Sequence, residues 1–533
     1  MPGENLTRRE ALTRSGHITV KSYAIDIDVR DALTSPTFRT ITRITFVSEG
    51  EKETFVDAIA SAVHSITLNG ESLKPAEVFA DSRISLTNLL ANNTLIVEAD
   101  FAYMNTGEGL HRFVDPVDNE VYLYSQFEVP DSRRVFAVFE QPDLKATFQF
   151  TIHAPAHWRV ISNQAAESSE AFEGGATWFF SPSPRISSYI TAVIAGPYEQ
   201  VSDELVSSSG KTIPLGVFAR ASLFPYLDAD YIFATTKKGF TFYEEKFGHP
   251  YPFDKYDQIF TPEFNAGAME NAGAVTFTEA YIFRSQVSDA MRERRVVTIL
   301  HELAHMWFGD LVTMRWWNDL WLNESFAEWA STLATAEATE WTGAWTTFQA
   351  MEKSWAYRQD QLPSTHPIVA SINDIEDVQV NFDGITYAKG ASVLKQLVAW
   401  VGEDAFFAGV QNYFSRHQWG NAVLKDFLAE LEKSSGRELA GWSSVWLETA
   451  GVNTLSLDID TDDEGIITRA AMTQSAPVDW PTLRPHRIGV GIYSTDHSGA
   501  LVATEAIEMD IDGASTEIPP LVGLHRGDLV LPN

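Results

Sequence analysis

The spacing of apolar residues changes three times along this chain, and that order limits the folds open to it. Within residues 18–200 apolar and polar positions alternate at period two. Residues 18–29, 39–47 and 94–99 read as half-buried strands separated by Gly, Asn, Asp and Pro clusters. Residues 189–195 read as a last strand, closed by Gly196-Pro197, and the Ser- and acid-rich stretch 201–210 reads as a boundary. Residues 211–285 are mixed, with strands expected at 213–218 and 257–261 and helical spacing over 229–247. From 289 to about 349 the spacing becomes three and four, and it does so again over 386–401, 403–417 and 424–435. Period two returns at 454–459, 466–474 and 487–494. This β, mixed, helical, β order predicts several modules. The 533 residues suffice for them, since a domain takes roughly 100–200 residues.

Composition removes several function classes. With 39 basic and 72 acidic side chains the net charge is −33, a field that repels phosphate backbones, so no nucleic-acid partner is expected. The same field favours cationic ligands such as a free ammonium. There are no cysteines, which excludes disulfides, thiolate metal sites and cysteine nucleophiles. The first 29 residues are polar and charged, and no run approaches 18 uncharged apolar residues. The expectation is a soluble cytoplasmic protein with neither signal peptide nor membrane span.

The sharpest chemical signal is His301-Glu302-Leu303-Ala304-His305, inside a stretch, 294–309, that reads as an apolar helix. Residues four apart share a helix face, so both imidazoles can reach one ion. Zinc suits them, and catalytic zinc sites take three protein ligands. Glu302 stands where a general base for the attacking water belongs. A third ligand should come from a following helix. Glu324, nineteen residues after His305, opens a helical stretch that would fold back over the histidines, and Glu328, one turn on, is its rival. Asp310 and Asp319 are candidates to orient the histidines through their second ring nitrogens. Upstream, Gly267-Ala268-Met269-Glu270-Asn271 offers backbone groups for an extended peptide and a carboxylate for an amine.

Together these segments resemble the gluzincin metallo-aminopeptidases of the M1 family, the aminopeptidase N group. Their signature is GAMEN, then HExxH, eighteen residues and a glutamate, all present here in order. The resemblance implies His301, His305 and Glu324 as ligands of one Zn²⁺ per chain, and Glu302 as base. Tyr387 in Gly384-Ile385-Thr386-Tyr387-Ala388-Lys389-Gly390 matches the catalytic tyrosine segment, whose phenol stabilises the oxyanion. Gln126-Phe127-Glu128 matches the segment whose acid joins the GAMEN glutamate, so Gln126, Glu128, Gly267, Ala268, Met269, Glu270 and Asn271 are the implied substrate contacts. Glu128 and Glu270 would clamp the ammonium of a peptide with a free N-terminus. The implied activity is release of single N-terminal amino acids by attack of an activated water.

The implied architecture is multidomain α+β. An N-terminal β-rich saddle domain would cover 1–198, a thermolysin-like α/β catalytic domain 199–451 and a small β-sandwich 452–533. Many members continue into a helical domain, which would begin about where this sequence stops. The oligomeric state stays open. The segment Phe139-Glu140-Gln141-Pro142, Ser325 after the ligand glutamate, and Asp310 depart from the common family pattern. None removes a proposed catalytic group. Two other readings compete. The first is an epoxide hydrolase, whose motif usually has Gly at the position of Ala268. The second is a non-catalytic binding module, which would usually have lost a ligand or the base.

Overall fold

The structure, a computed structural model, describes residues 4–533, so the first three residues of the N-terminal stretch read above lie outside it. The chain is multidomain, with a β-rich N-terminal region followed by a region that contains most of the helices.

The N-terminal region is built on an eight-stranded sheet. Its centre is Ile18–Asp28, paired in parallel with Thr147–Ala154 and antiparallel with Thr37–Ser48, which in turn pairs with Asn92–Ala102. Alternation does what the sequence predicts: Ile25, Ile27, Ile44, Phe46 and Val97 face a common core while their neighbours face outward. A second, four-stranded sheet is ordered Arg159–Ser162, Val193–Gly196, Val121–Gln126, Gly109–Val114. The strand Val121–Gln126 ends at Gln126 and delivers Glu128 two residues later.

Two expectations change in this region. The last strand is Val193–Gly196, shorter than expected, because Ser188–Ile190 winds into a 3₁₀ turn. The expected boundary at 201–210 is mostly strand: Tyr198–Val206 pairs antiparallel with Thr212–Arg220, and only residues 207–211 turn. Ser202 and Glu204 face solvent on an outer strand with half-buried Asp203 between them, which is why the composition resembled a loop.

That strand opens a five-stranded sheet ordered Tyr198–Val206, Thr212–Arg220, Tyr256–Thr261, Ala274–Thr278, Ala268–Met269. The inner three strands run parallel and the outer two antiparallel. The helix Ala229–Phe247 makes the crossover between two parallel strands. Beyond the sheet come two long helices, Asp289–His305 and Leu320–Ala338, here called the histidine and glutamate helices. Helical spacing alone did not show the break between them. Gly309, at φ 137°, turns the chain, and Thr313–Met314 pairs with Asn421–Ala422.

One hydrophobic cluster runs through all of this, from Leu6 to Leu447. A second, separate cluster, from Ile467 to Leu521, lies within the last part of the chain. There Thr454–Thr461, Ile467–Ser475 and Ser515–Glu517 form one sheet, and Leu501–Ile511, His486–Thr495 and Leu529–Pro532 another. Among the described residues no helix is long and apolar enough to cross a membrane.

Candidate metal centre and active site

The histidine helix starts at Ser288, whose side chain accepts from the Met291 amide, with Asp289 in the first turn facing the positive end of the helix dipole. It ends on His305. From Arg295 on most of its side chains are buried, and His301 and His305 share one face. The glutamate helix packs against it and presents Glu324 to that face.

The three side chains meet. His301 Nε2 lies 3.0 Å from His305 Nε2 and 3.3 Å from Glu324 Oε2, and His305 Nε2 lies 3.5 Å from the same oxygen. Ligands at about 2.0–2.1 Å in a tetrahedral zinc site lie about 3.3–3.4 Å apart, so the spacing fits a single ion. Two imidazoles and a carboxylate are also a donor set suited to catalytic zinc. All three residues are buried. Burial alone would keep His301 neutral, yet Glu324 and Glu328 outweigh it and hold its pKa up at about 9.

The outer ring nitrogens are oriented by groups other than those expected. His301 Nδ1 faces Glu328 Oε2 at 3.3 Å, and His305 Nδ1 bonds the Phe308 carbonyl at 3.1 Å. Glu328 is therefore not a rival ligand: it sits across the ring from the nitrogen that faces Glu324. Asp310 and Asp319 do not orient either histidine. The buried Asp310 carboxyl has no hydrogen-bond partner, and Asp319 accepts from the Leu424 amide at 3.4 Å. The tight turn after His305 brings a backbone carbonyl to the ring before any side chain can reach it.

A cavity of about 570 Å³ opens over this cluster. Gln126, Glu128, Gly267, Ala268, Glu270, Glu302 and Tyr387 all line it beside His301, His305 and Glu324. Met269 and Asn271 do not. Met269 is buried and receives the Gln126 amide on its sulfur at 3.6 Å, while Asn271 donates to Thr276 Oγ1 at 3.3 Å. They shape the loop from behind. Ala268–Met269 is the outer strand of its sheet, so its free edge is available to an extended backbone.

Charge in the cavity is one-sided. Glu128, Glu270 and Glu324 each bring an oxygen within 4.8 Å of the others. Burial raises Glu128 well above the usual carboxylate range, and Glu270 and Glu324 push it the same way. Burial also raises Glu270, and pushes Glu302 up to about 8 against the pull of the two histidines. Such a cluster is stabilised by cations. The Tyr387 ring lies beside His301, centroids 6.4 Å apart and planes 23° apart, and burial raises its phenol so that it stays a proton donor.

Sequence reasoning missed Arg294, Val297 and Thr298, which also line the cavity. With His301 they fall at i, i+3, i+4 and i+7 of one helix, a spacing that would have found them. Glu352, Trp355 and Phe382 line it too. They come from distant loops and short helices, and no local pattern marks them.

A buried pair of histidines and a glutamate on two packed helices, with the acid of the HExxH motif beside them, form a group whose spacing could hold one divalent metal ion. The chain belongs to peptidase family M1. It matches the Peptidase M1 N-terminal domain over residues 21–190 and the Peptidase family M1 domain over residues 231–446. It is 58% identical to aminopeptidase N of Streptomyces lividans, an alignment covering 100% of this chain and 63% of that protein. It is 33% identical to probable aminopeptidase 2 of Sulfurisphaera tokodaii over 77% of this chain and 51% of that one. It is 30% identical to tricorn protease-interacting factor F2 of Thermoplasma acidophilum over 82% and 54%. The chain thus spans between half and two thirds of the length of these relatives.

Proposed function

We infer that this chain is a zinc-dependent aminopeptidase, cytoplasmic, acting on peptides with a free N-terminus. One observation carries the reading: in a single cavity, Glu128 and Glu270 converge beside the cluster of His301, His305 and Glu324. A carboxylate pair next to a metal site accounts for both a bound ammonium and a polarised first peptide bond. The name of the Streptomyces relative supports the same activity. The finer architecture proposed is a saddle-shaped β domain over 1–198, a thermolysin-like domain over 199–451 and a β-sandwich over 452–533.

His301, His305 and Glu324 would hold one zinc ion. Bound there, zinc supplies Lewis acidity, which makes water acidic near neutral pH and polarises a carbonyl. The rest falls to the protein. Glu128 and Glu270 accept hydrogen bonds from the substrate ammonium and so fix which peptide bond reaches the centre. The free edge of Ala268–Met269 aligns the backbone. Glu302 takes a proton from the attacking water and returns it to the departing amine. Tyr387 donates a hydrogen bond to the carbonyl oxygen as it gains charge.

The test is reconstitution. Protein stripped of metal by a chelator should regain hydrolysis of aminoacyl amides with one equivalent of zinc. Glu302→Gln should bind the same equivalent and stay inactive. Full activity in Glu302→Gln would sink the reading.

A further inference from the structure

Ser325 stands next to Glu324, the proposed metal ligand. It is fully buried, and its hydroxyl donates to the Thr386 carbonyl at 2.5 Å. Thr386 is the residue before Tyr387. One side-chain bond therefore joins the residue beside Glu324 to the residue beside the tyrosine, across two elements far apart in sequence.

The surroundings are built for this contact. Tyr387 sits on a single π-helical turn, Ile385–Lys389, in which the Lys389 amide reaches back to the Gly384 carbonyl at 2.9 Å. Such turns are wider than α-helix and less rigidly bonded. The turn runs into the helix Gly390–Val401. Gly390 has ordinary right-handed dihedrals, φ −58° and ψ −46°, so the backbone does not require glycine there. Space does: a Cβ on Gly390 would lie only 2.8 Å from Ser325 Cβ and closer still to its hydroxyl. Gly390 thus leaves the room that Ser325 fills, and the entropic cost of glycine in a helix is met for a close approach. On the other side, Asp383 Oδ1 accepts from the amides of Ile385 and Thr386 at 2.9 and 3.0 Å. The turn is held between Asp383 and Ser325, with the tyrosine between these anchors and His301.

We propose that Ser325 is a positioning residue for Tyr387: its hydrogen bond to Thr386 fixes the tyrosine turn to the helix that carries Glu324. This rests on the reading of Tyr387 as the donor to the charged oxygen. A phenol is useful there only if it already lies where the charge develops.

The test is a double-mutant cycle on the zinc-loaded chain, using Ser325→Ala, Tyr387→Phe and their combination, with aminoacyl amides as substrate. Tyr387→Phe is expected to lower kcat by about 10²–10³. Ser325→Ala should lower kcat by roughly tenfold with KM unchanged. Combined with Tyr387→Phe, it should cost less than about twofold more, because both act through one phenol. Amide exchange over 385–391 should quicken in Ser325→Ala, and the zinc dissociation constant should stay the same. Should Ser325→Ala fold poorly, Ser325→Gly removes the same hydroxyl and adds no volume against Gly390. An equal loss from Ser325→Ala in both backgrounds, a loss that tracks weaker zinc binding, or no loss at all overturns the proposal. A Tyr387→Phe enzyme with unchanged kcat overturns instead the assignment of the tyrosine, and the role of Ser325 falls with it.

Discussion

Glu328 Oε2 lies 3.3 Å from His301 Nδ1, on the side of the imidazole away from Glu324. One helix turn therefore places two acids on opposite edges of the same ring. In the proposed zinc site the inner one would face the ion, and the outer one would fix the tautomer that leaves Nε2 free to ligate. Arg294, 3.8 Å from Glu328, holds the outer acid in place. Glu328→Gln should keep the fold and weaken zinc binding by roughly 10–100-fold. Competition against a fluorescent chelator measures this directly, and unchanged affinity would remove Glu328 from the site.

The contact between Ser325 and Gly390 predicts a reciprocal pair. Gly390→Ala forces a methyl into the Ser325 side chain and should destabilise the protein by about 1–3 kcal/mol, as overpacking does. Adding Ser325→Gly should recover most of that loss. Melting temperatures of the two single variants and the double variant test this. A double variant no more stable than Gly390→Ala would show that the crowding lies elsewhere.

Glu128 and Glu270, proposed to hold the substrate ammonium, should separate specificity from chemistry. Glu270→Gln keeps the size of the side chain and removes a charge from the cluster. The expected result is a fall in kcat/KM of about 10²-fold or more for free-amine substrates, the cost of leaving a buried charged partner unpaired. Zinc content should not change. Loss of zinc together with activity would mean that Glu270 supports the metal rather than the amine.

The anchor under the tyrosine turn should be sensitive to pH. His366 Nε2 lies 2.9 Å from Asp383 Oδ2, while Asp383 Oδ1 holds the amides of the turn. The bond to Asp383 raises the pKa of His366 above its ordinary value, against a smaller effect of burial. A group raised on folding stabilises the native state fully below its unfolded pKa, here about 6.5, and loses that contribution as pH rises through the folded value. Wild type should therefore melt above His366→Gln at pH 6, and the gap should shrink by pH 8. A gap that is constant or widens with pH contradicts the pairing.

Much of the fold follows from patterns that sequence shows well. The helix Ala229–Phe247 and the strands around Ile25 and Val490 were legible because burial on one face imposes a period. The strand Tyr198–Val206 was not, because an outer strand with one face in water reads like a polar loop. Within the site, His301 and His305 were legible through helix geometry, Glu324 through the same geometry but with Glu328 as its rival, while Glu128 and Tyr387 came only with the family resemblance. The roles imagined for Asp310 and Asp319 failed for a local reason: the turn after His305 offers the Phe308 carbonyl first. Trp355 and Phe382 reach the cavity from segments whose position depends on the whole tertiary packing, and nothing nearby in sequence announces it.

The most direct test of the account compares an aminoacyl amide with its N-acetylated form on the zinc-loaded chain, with Glu302→Gln beside it. The free amine should be turned over and the acetylated substrate not, and Glu302→Gln should turn over neither. Equal turnover of both forms by the wild-type chain would contradict it, because Glu128 and Glu270 would then select nothing.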